Sequence, residues 1–243
     1  MQEELIGLIP AAGKGLRLGL PYPKELYPVI REKQYKPVAQ FVLDEMVVAN
    51  IRHVVFVINQ SKHQLLGYFG NGQRFGCHMS YVVQEAVKHT SPGLAHALDS
   101  AYHLTQGKTV FFGMPDTIMQ PEGIFQRMYE MAQPDIDVIL ALFATKHPQK
   151  FGMVYFDQTG RVLKIVDKPP QTDLTKMWGC MIWRPRFTEY LHECICQGIS
   201  DLTQIINSAI ADGLHFRGLE IVGGTYIDLG TYDEIMEMNH RLR

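Results

Sequence analysis

The stretch Leu5-Ile6-Gly7-Leu8-Ile9-Pro10-Ala11-Ala12-Gly13-Lys14-Gly15-Leu16-Arg17, with its continuation Pro23-Lys24-Glu25-Leu26-Tyr27-Pro28, decides the reading of the fold. Residues 5–9 form a mostly apolar run, the signature of a buried strand, and run straight into small residues and glycine. Such a backbone can approach a ligand closely, and successive amides in a glycine-rich turn point at phosphate oxygens. Lys14, Arg17 and Lys24 place positive charge in the same short segment, so the loop suits a polyphosphate. Two better-known phosphate loops fail here. The dinucleotide fingerprint needs a small third residue where this chain has Leu18, and no Gly-x-x-x-x-Gly-Lys-Ser/Thr string occurs. A solvated glycine-rich surface loop is the plain alternative. The strand before it and the Pro-Lys-x-x-x-Pro after it argue against that alternative.

Working outward, Pro37 to Ala49 carries apolar residues at Val38, Phe41, Val42, Met46 and Ala49, a helical period with proline at its start. Val54–Ile58 is a β-branched and aromatic run, so the opening reads as a βαβ unit with a parallel pair of strands. A helix near His63–Phe69 and a strand near Met79–Gln84 repeat the pattern. Ser91-Pro92-Gly93-Leu94-Ala95 then opens another helix with a cap, a proline and small residues. By itself this is an ordinary capped helix, although Gln84 has both donor and acceptor groups for a base edge.

Lys108 to Gly113 reads as an apolar strand delivering Asp116 at its carboxyl end, the edge where ligands bind in open parallel sheets. A helix cap is the commoner role of an acid so placed. From Ile136 the texture changes: Asp137–Phe143, Phe151–Phe156 and Val162–Val166 read as strands of antiparallel hairpins, with Asp157-Gln158-Thr159-Gly160 as a turn. This β-rich part suggests a substrate-facing lobe. It ends in Asp167-Lys168-Pro169, which taken alone is a solvated charged turn. Trp178–Trp183 reads as a strand in which Gly179 lets a ligand approach, and Trp178 is either core or pocket wall. Helices are expected over Arg186–Cys194 and Asp201–Ala211, and after Thr231.

At 243 residues the chain can bury a sizeable core, and with a net charge of −2 it has no basic excess to hold nucleic acid. The phosphate-facing cations must act locally, and the partner is expected to be small. Cys77, Cys180, Cys194 and Cys196 show no paired spacing for zinc or a disulfide framework and are expected to be reduced and buried. No apolar run approaches a bilayer's thickness, and the opening Met1-Gln2-Glu3-Glu4 lacks a basic leader, so a cytoplasmic location is expected.

Gly-x-Gly-x-Arg followed by Pro-Lys-Glu-Leu-x-Pro resembles the nucleotide-binding signature of the sugar-1-phosphate nucleotidylyltransferases. The other segments resemble that family in the same order: Gln84 before Gly93-Leu94-Ala95-His96-Ala97, the strand-end Asp116, Asp167-Lys168-Pro169 for Glu-Lys-Pro, and Tyr226-Ile227-Asp228-Leu229-Gly230-Thr231 for Trp-x-Asp-x-Gly-Thr. The resemblance covers nearly the whole chain. It implies an α/β fold, a Rossmann-like and mostly parallel sheet flanked by helices with a β-rich sugar-binding insertion. One domain, 1–243, would divide into a nucleotide-binding half to about 135 and a sugar-binding half that returns to the core sheet.

By the same resemblance, Ala11, Ala12, Gly13, Lys14, Gly15, Gln84 and Gly93 would bind the nucleotide, and Gly152, Asp167, Lys168 and Gly179 the sugar. Asp116 and Asp228 would hold Mg²⁺, with Arg17, Lys24 and Lys168 as the catalytic cations and Thr231 as a helix cap. The implied reaction joins a nucleoside triphosphate and a sugar 1-phosphate into a nucleotide-sugar and pyrophosphate, in a chain for which a homo-oligomer is compatible. Pro10-Ala11-Ala12-Gly13 and Pro23-Lys24-Glu25 are closer to the uridylyltransferase version than to Leu-Ala-Gly-Gly, leaving UTP or dTTP favoured. Leu16 stands where the family has Thr, and Asp167 is one methylene shorter than Glu. A non-catalytic binding homologue and a cytidylyltransferase for a phosphorylated alcohol are the alternatives. The former is opposed by retention of all five charged residues, the latter by the Asp-Lys-Pro segment.

Overall fold

The computed structural model describes residues 3–15, 18–31, 34–85 and 93–241. The opening apolar run is strand β1 (Leu5–Pro10). After the glycine loop come a 3-10 turn (Lys24–Leu26), the two-stranded ribbon β2 (Pro28–Arg31) and β3 (Gln34–Pro37), and helix α1 (Val38–Val48). Next follow β4 (His53–Ile58), α2 (His63–Phe69), β5 (His78–Val83), α3 (Leu94–Asp99), α4 (Tyr102–Thr105) and β6 (Thr109–Gly113). The second half supplies β7 (Thr117–Gln120), α5 (Ile124–Glu130), β8 (Val138–Ala144), β9 (Gly152–Phe156), β10 (Val162–Asp167) and β11 (Lys176–Trp183). It closes with α6 (Pro185–Cys196), α7 (Leu202–Ala211), β12 (Phe216–Glu220), β13 (Thr225–Asp228) and α8 (Tyr232–Arg241).

β1 lies between β4 and β6 and is parallel to both, and β5 continues the parallel run beyond β4. The chain first builds outward from β1 to β4 and β5, then returns to lay β6 on the other side. That reversal is a topological switch point, where a crevice opens beyond the carboxyl ends of the strands. The glycine loop leaves β1 there, and Asp116 follows β6.

Both faces of the sheet are covered, so its central strands are apolar throughout rather than alternating. Ile6, Leu8, Val55, Val57, Val110 and Phe112 point to the face packed by α3, α6 and α7. Ile9, Val54, Phe56 and Phe111 point to the face packed by α1, α2 and α5. α1 and α5 are also joined by charge: the buried Glu45 carboxylate accepts from the Gly123 and Ile124 backbone N–H groups at 3.1 and 2.9 Å, satisfying the start of α5. Burial lifts its carboxyl above the usual range even though those two hydrogen bonds oppose the shift.

The later strands join this same sheet. β11 pairs antiparallel with β6, carrying β9 and β10 to one edge. The hairpin expected around Asp157–Gly160 is β9–β10. β8 departs from the hairpin expectation: it pairs antiparallel with β11 and parallel with β12, because α6 and α7 return the chain to its other side. The expected cysteine burial holds for Cys77, Cys180 and Cys194, whereas Cys196 ends α6 on its exposed side; all four are free thiols. No helix among the described residues is long and apolar enough to cross a membrane.

Candidate active site

At the end of β1 the loop is pinned from behind. Ala11 N–H donates to the Val57 carbonyl at 2.7 Å, and the Asn59 amide Nδ2 donates to the Ala12 carbonyl at 2.7 Å. Gly15 adopts φ 63°, which favours glycine, and a side chain at Gly13 would meet nothing within 4 Å. Ala11 is buried, Gly13 and Lys14 are exposed, and the loop therefore offers its backbone on the open side. Leu16 and Arg17 lie outside the described residues, as does Ser91, the expected cap; α3 begins at Leu94 with Gly93 as its N-cap.

Lys24 and Asp116 meet in this crevice. The Lys24 ammonium donates to Asp116 Oδ2, and the pair is largely buried, with side-chain exposures of 18% and 7%. Burial alone would lower the Lys24 pKa, but attraction to Asp116, Glu25 and Asp228 outweighs it and holds the ammonium above its usual range. Asp116 is followed by strand β7 rather than a helix, which removes the capping explanation. Its Oδ1 is buried without a hydrogen-bond partner among the described residues.

β7 exists to bring in the second acid. It pairs antiparallel with β13, placing Asp228 opposite Thr117, and Leu229 N–H donates to the Asp116 carbonyl at 2.9 Å. Asp116, just before β7, and Asp228, at the end of β13, are thus brought to one crevice, and burial together with Asp228 and Asp116 pushes the adjacent Tyr226 hydroxyl well above its ordinary value. Beyond them, Thr231 caps α8 as expected: its hydroxyl accepts from Glu234 N–H at 3.4 Å, the N-cap bond, and donates to Glu234 Oε2 at 2.8 Å. Glu234 also receives Lys150 Nζ at 2.9 Å, tying α8 to the segment before β9.

The residues expected for the sugar gather on the adjoining strands. Gly152 pairs with Asp167 across the β9–β10 hairpin, and Lys168 N–H donates to the Phe151 carbonyl at 3.0 Å. Lys168 adopts φ 43°, rare for a residue with a side chain, and its ammonium lies exposed, 3.7 Å from Asp167 Oδ2. A Cβ on Gly152 would lie 2.3 Å from Trp178 Nε1, so glycine there makes room for the indole. A Cβ on Gly179 would lie 2.7 Å from the Phe143 and Tyr226 rings, so that space is filled by aromatic packing. Gln84 follows β5, where its Nε2 is buried without a partner among the described residues, as is His96 Nδ1 in α3.

Sequence reasoning left out Asn59, Glu25 and Lys62. The Glu25 carboxylate accepts from Lys62 Nζ at 2.5 Å, with side chains 1% and 4% exposed. Burial raises the Glu25 carboxyl and lowers the Lys62 ammonium, each opposed by the attraction of the other. The available signal was position: Asn59 and Lys62 follow β4 at the ligand edge of the sheet.

The nucleotidyl transferase family model matches residues 6–243. Among curated proteins, the chain is similar to the low-salt glycan biosynthesis nucleotidyltransferase Agl11 of Haloferax volcanii, 26% identical over 96% of this chain and 64% of that protein. It is likewise 26% identical to a glucose-1-phosphate thymidylyltransferase of Neisseria meningitidis, over 95% of this chain and 80% of the relative. Among solved structures, a UDP-glucose pyrophosphorylase complexed with UDP-glucose superposes with a TM-score of 0.80 at 22% identity, covering 98% of both chains. The UTP-bound UGPase of Acinetobacter baumannii gives 0.78 at 18% identity, over 98% of this chain and 93% of that one. These two likenesses establish the fold, a mostly parallel α/β sheet flanked by helices.

Proposed function

Because the chain belongs to the nucleotidyl transferase family, we propose that it transfers a nucleoside monophosphate from a triphosphate, UTP or dTTP in preference, to a sugar 1-phosphate. The products are a nucleotide-sugar and pyrophosphate. The observation that carries this reading is the meeting of Lys24, Asp116 and Asp228 where the glycine loop leaves β1. The loop backbone takes the triphosphate, and Gln84 faces the base. The incoming sugar phosphate oxygen attacks the α-phosphorus as the bond to pyrophosphate breaks, so no protein nucleophile is needed. Lys24, with Arg17 from the loop, balances the charge of the departing pyrophosphate, while Lys168 steers the acceptor phosphate and Asp167 the sugar hydroxyls. The protein's contribution is positioning plus electrostatics.

Mg²⁺ suits the donor set. It is commonly held by one or two carboxylates together with substrate phosphates, and the unpaired buried Oδ1 of Asp116 beside Asp228 supports that reading. When bound by these two residues it supplies neutralisation of the triphosphate charge. The work is assigned to the cytoplasm, where nucleoside triphosphates are made.

The test is pyrophosphate release with Mg²⁺, scanning UTP, dTTP, CTP, GTP and ATP against a panel of sugar 1-phosphates, with Asp116→Asn as control. Release requiring one triphosphate and one acceptor, and lost in the control, supports the reading. Silence across the panel with triphosphate binding intact overturns it.

A further inference from the structure

One turn at the end of β4 holds both working segments of the crevice. Asn59 to Lys62 is a tight turn: Lys62 N–H donates to the Asn59 carbonyl at 3.1 Å, and Asn59 Oδ1 accepts from Ser61 N–H and its hydroxyl at 2.9 and 2.6 Å. From it, Asn59 Nδ2 reaches the Ala12 carbonyl of the phosphate loop, and Lys62 Nζ reaches Glu25 Oε1. Glu25 adjoins Lys24 within a 3-10 turn closed by Leu26 N–H to Pro23 O and Tyr27 N–H to Lys24 O, both 2.9 Å. The two side chains diverge, Glu25 inward to Lys62 and Lys24 into the crevice on Asp116. Fixing Glu25 therefore fixes the Cα from which Lys24 reaches.

A Lys–Glu pair with 4% and 1% side-chain exposure is a poor stabilising device, because desolvating two charges offsets most of their attraction. Such a pair does fix geometry, since each group must find its one partner. The chain here alternates in sign from Lys62 through Glu25 and Lys24 to Asp116, so displacing any member changes the field at the next.

We propose that Lys62 and Glu25 are positioning residues that set Lys24 against Asp116 at a fixed reach from the phosphate loop, which Asn59 holds from the same turn. This inference rests on the proposed reaction for its kinetic consequence, but not for its structural one.

The test compares wild type with Glu25→Gln and with the double variant Glu25→Met/Lys62→Met, which removes both buried charges together. Three quantities are measured on each cooperatively melting protein: the melting temperature, kcat and KM for pyrophosphate release, and the rate of Lys24 acylation by acetic anhydride read by peptide mass spectrometry. The expected result is a double variant that melts close to wild type, with Lys24 labelled about fivefold faster and kcat lower by about 10- to 100-fold, while KM changes little. Wild-type Lys24 labelling and kcat in both folded variants would overturn the inference and reduce the pair to packing. Should wild type itself release no pyrophosphate, the proposed reaction fails, and the Lys24 labelling rates alone then decide the positioning role.

Discussion

The Lys24 ammonium is paired with the Asp116 carboxylate, joining the turn after the glycine loop to the acid that follows β6. One cation thus lies beside an acid proposed for the metal and within the field of Asp228. If it stabilises the departing pyrophosphate, Lys24→Met lowers kcat by about 10²–10³-fold, the usual loss of one charged contact in a transition state. Steady-state kinetics on the purified variant decides this, and a change of less than about threefold in kcat removes Lys24 from the chemistry.

Gly152 is expected to matter through what it leaves room for. A methyl group there would lie 2.3 Å from Trp178 Nε1, so Gly152→Ala displaces the indole beside the strand pair that carries Asp167. We expect KM for the sugar phosphate to rise by about tenfold or more, with triphosphate binding unaltered. Equal weakening toward both substrates would show a general distortion and contradict the division of the crevice.

Glu45 carries a stability prediction away from the chemistry. Its carboxylate alone satisfies the Gly123 and Ile124 N–H groups at the start of α5. Glu45→Ala should cost about 2 kcal/mol in urea denaturation, the scale of a lost cap with charge-assisted bonds. A loss below about 0.5 kcal/mol would mean that α5 is held by its apolar face and needs no cap.

The elements readable from sequence were those with a sustained pattern. β1 and β4 are sustained apolar runs and α1 carries a helical apolar period; Asp116 is legible as an acid following an apolar strand, whereas Asp228 is singled out only by the resemblance of its motif. β7 and β13 are only four residues each, too short for a period, so the pairing that sets the two acids side by side was not visible. Glu25 and Lys62 escaped for a different reason. Isolated charged residues read as solvated, and nothing local shows that two of them, distant in sequence, bury each other. Read locally, Gly179 suits close approach by a ligand, but tertiary packing puts Phe143 and Tyr226 against it, a fact that resides in other segments of the chain.

A pH dependence follows from His53, whose Nε2 lies 2.8 Å from Ser80 Oγ. Burial lowers its pKa below 6.5, with Lys108 and His78 adding to the shift. As pH falls through 6.5 the unfolded chain takes a proton that the folded one resists, so this site's contribution to stability is full above that value and declines below it, levelling off once the folded form is also protonated. Denaturation midpoints measured from pH 7.5 downward should fall less steeply in His53→Gln than in wild type. An identical slope would assign the acid sensitivity to other groups.

The central claim is that the α-phosphate moves to the sugar phosphate, and the most direct measurement follows that phosphorus. Triphosphate labelled with ³²P at the α-position is incubated with the sugar 1-phosphate identified by the pyrophosphate screen, using wild type, Asp116→Asn and Asp228→Asn. The account predicts label in the nucleotide-sugar, unlabelled pyrophosphate, and transfer lowered by at least about 10²-fold in each variant. Label confined to unreacted triphosphate or free monophosphate, or transfer unaffected by both substitutions, would contradict it.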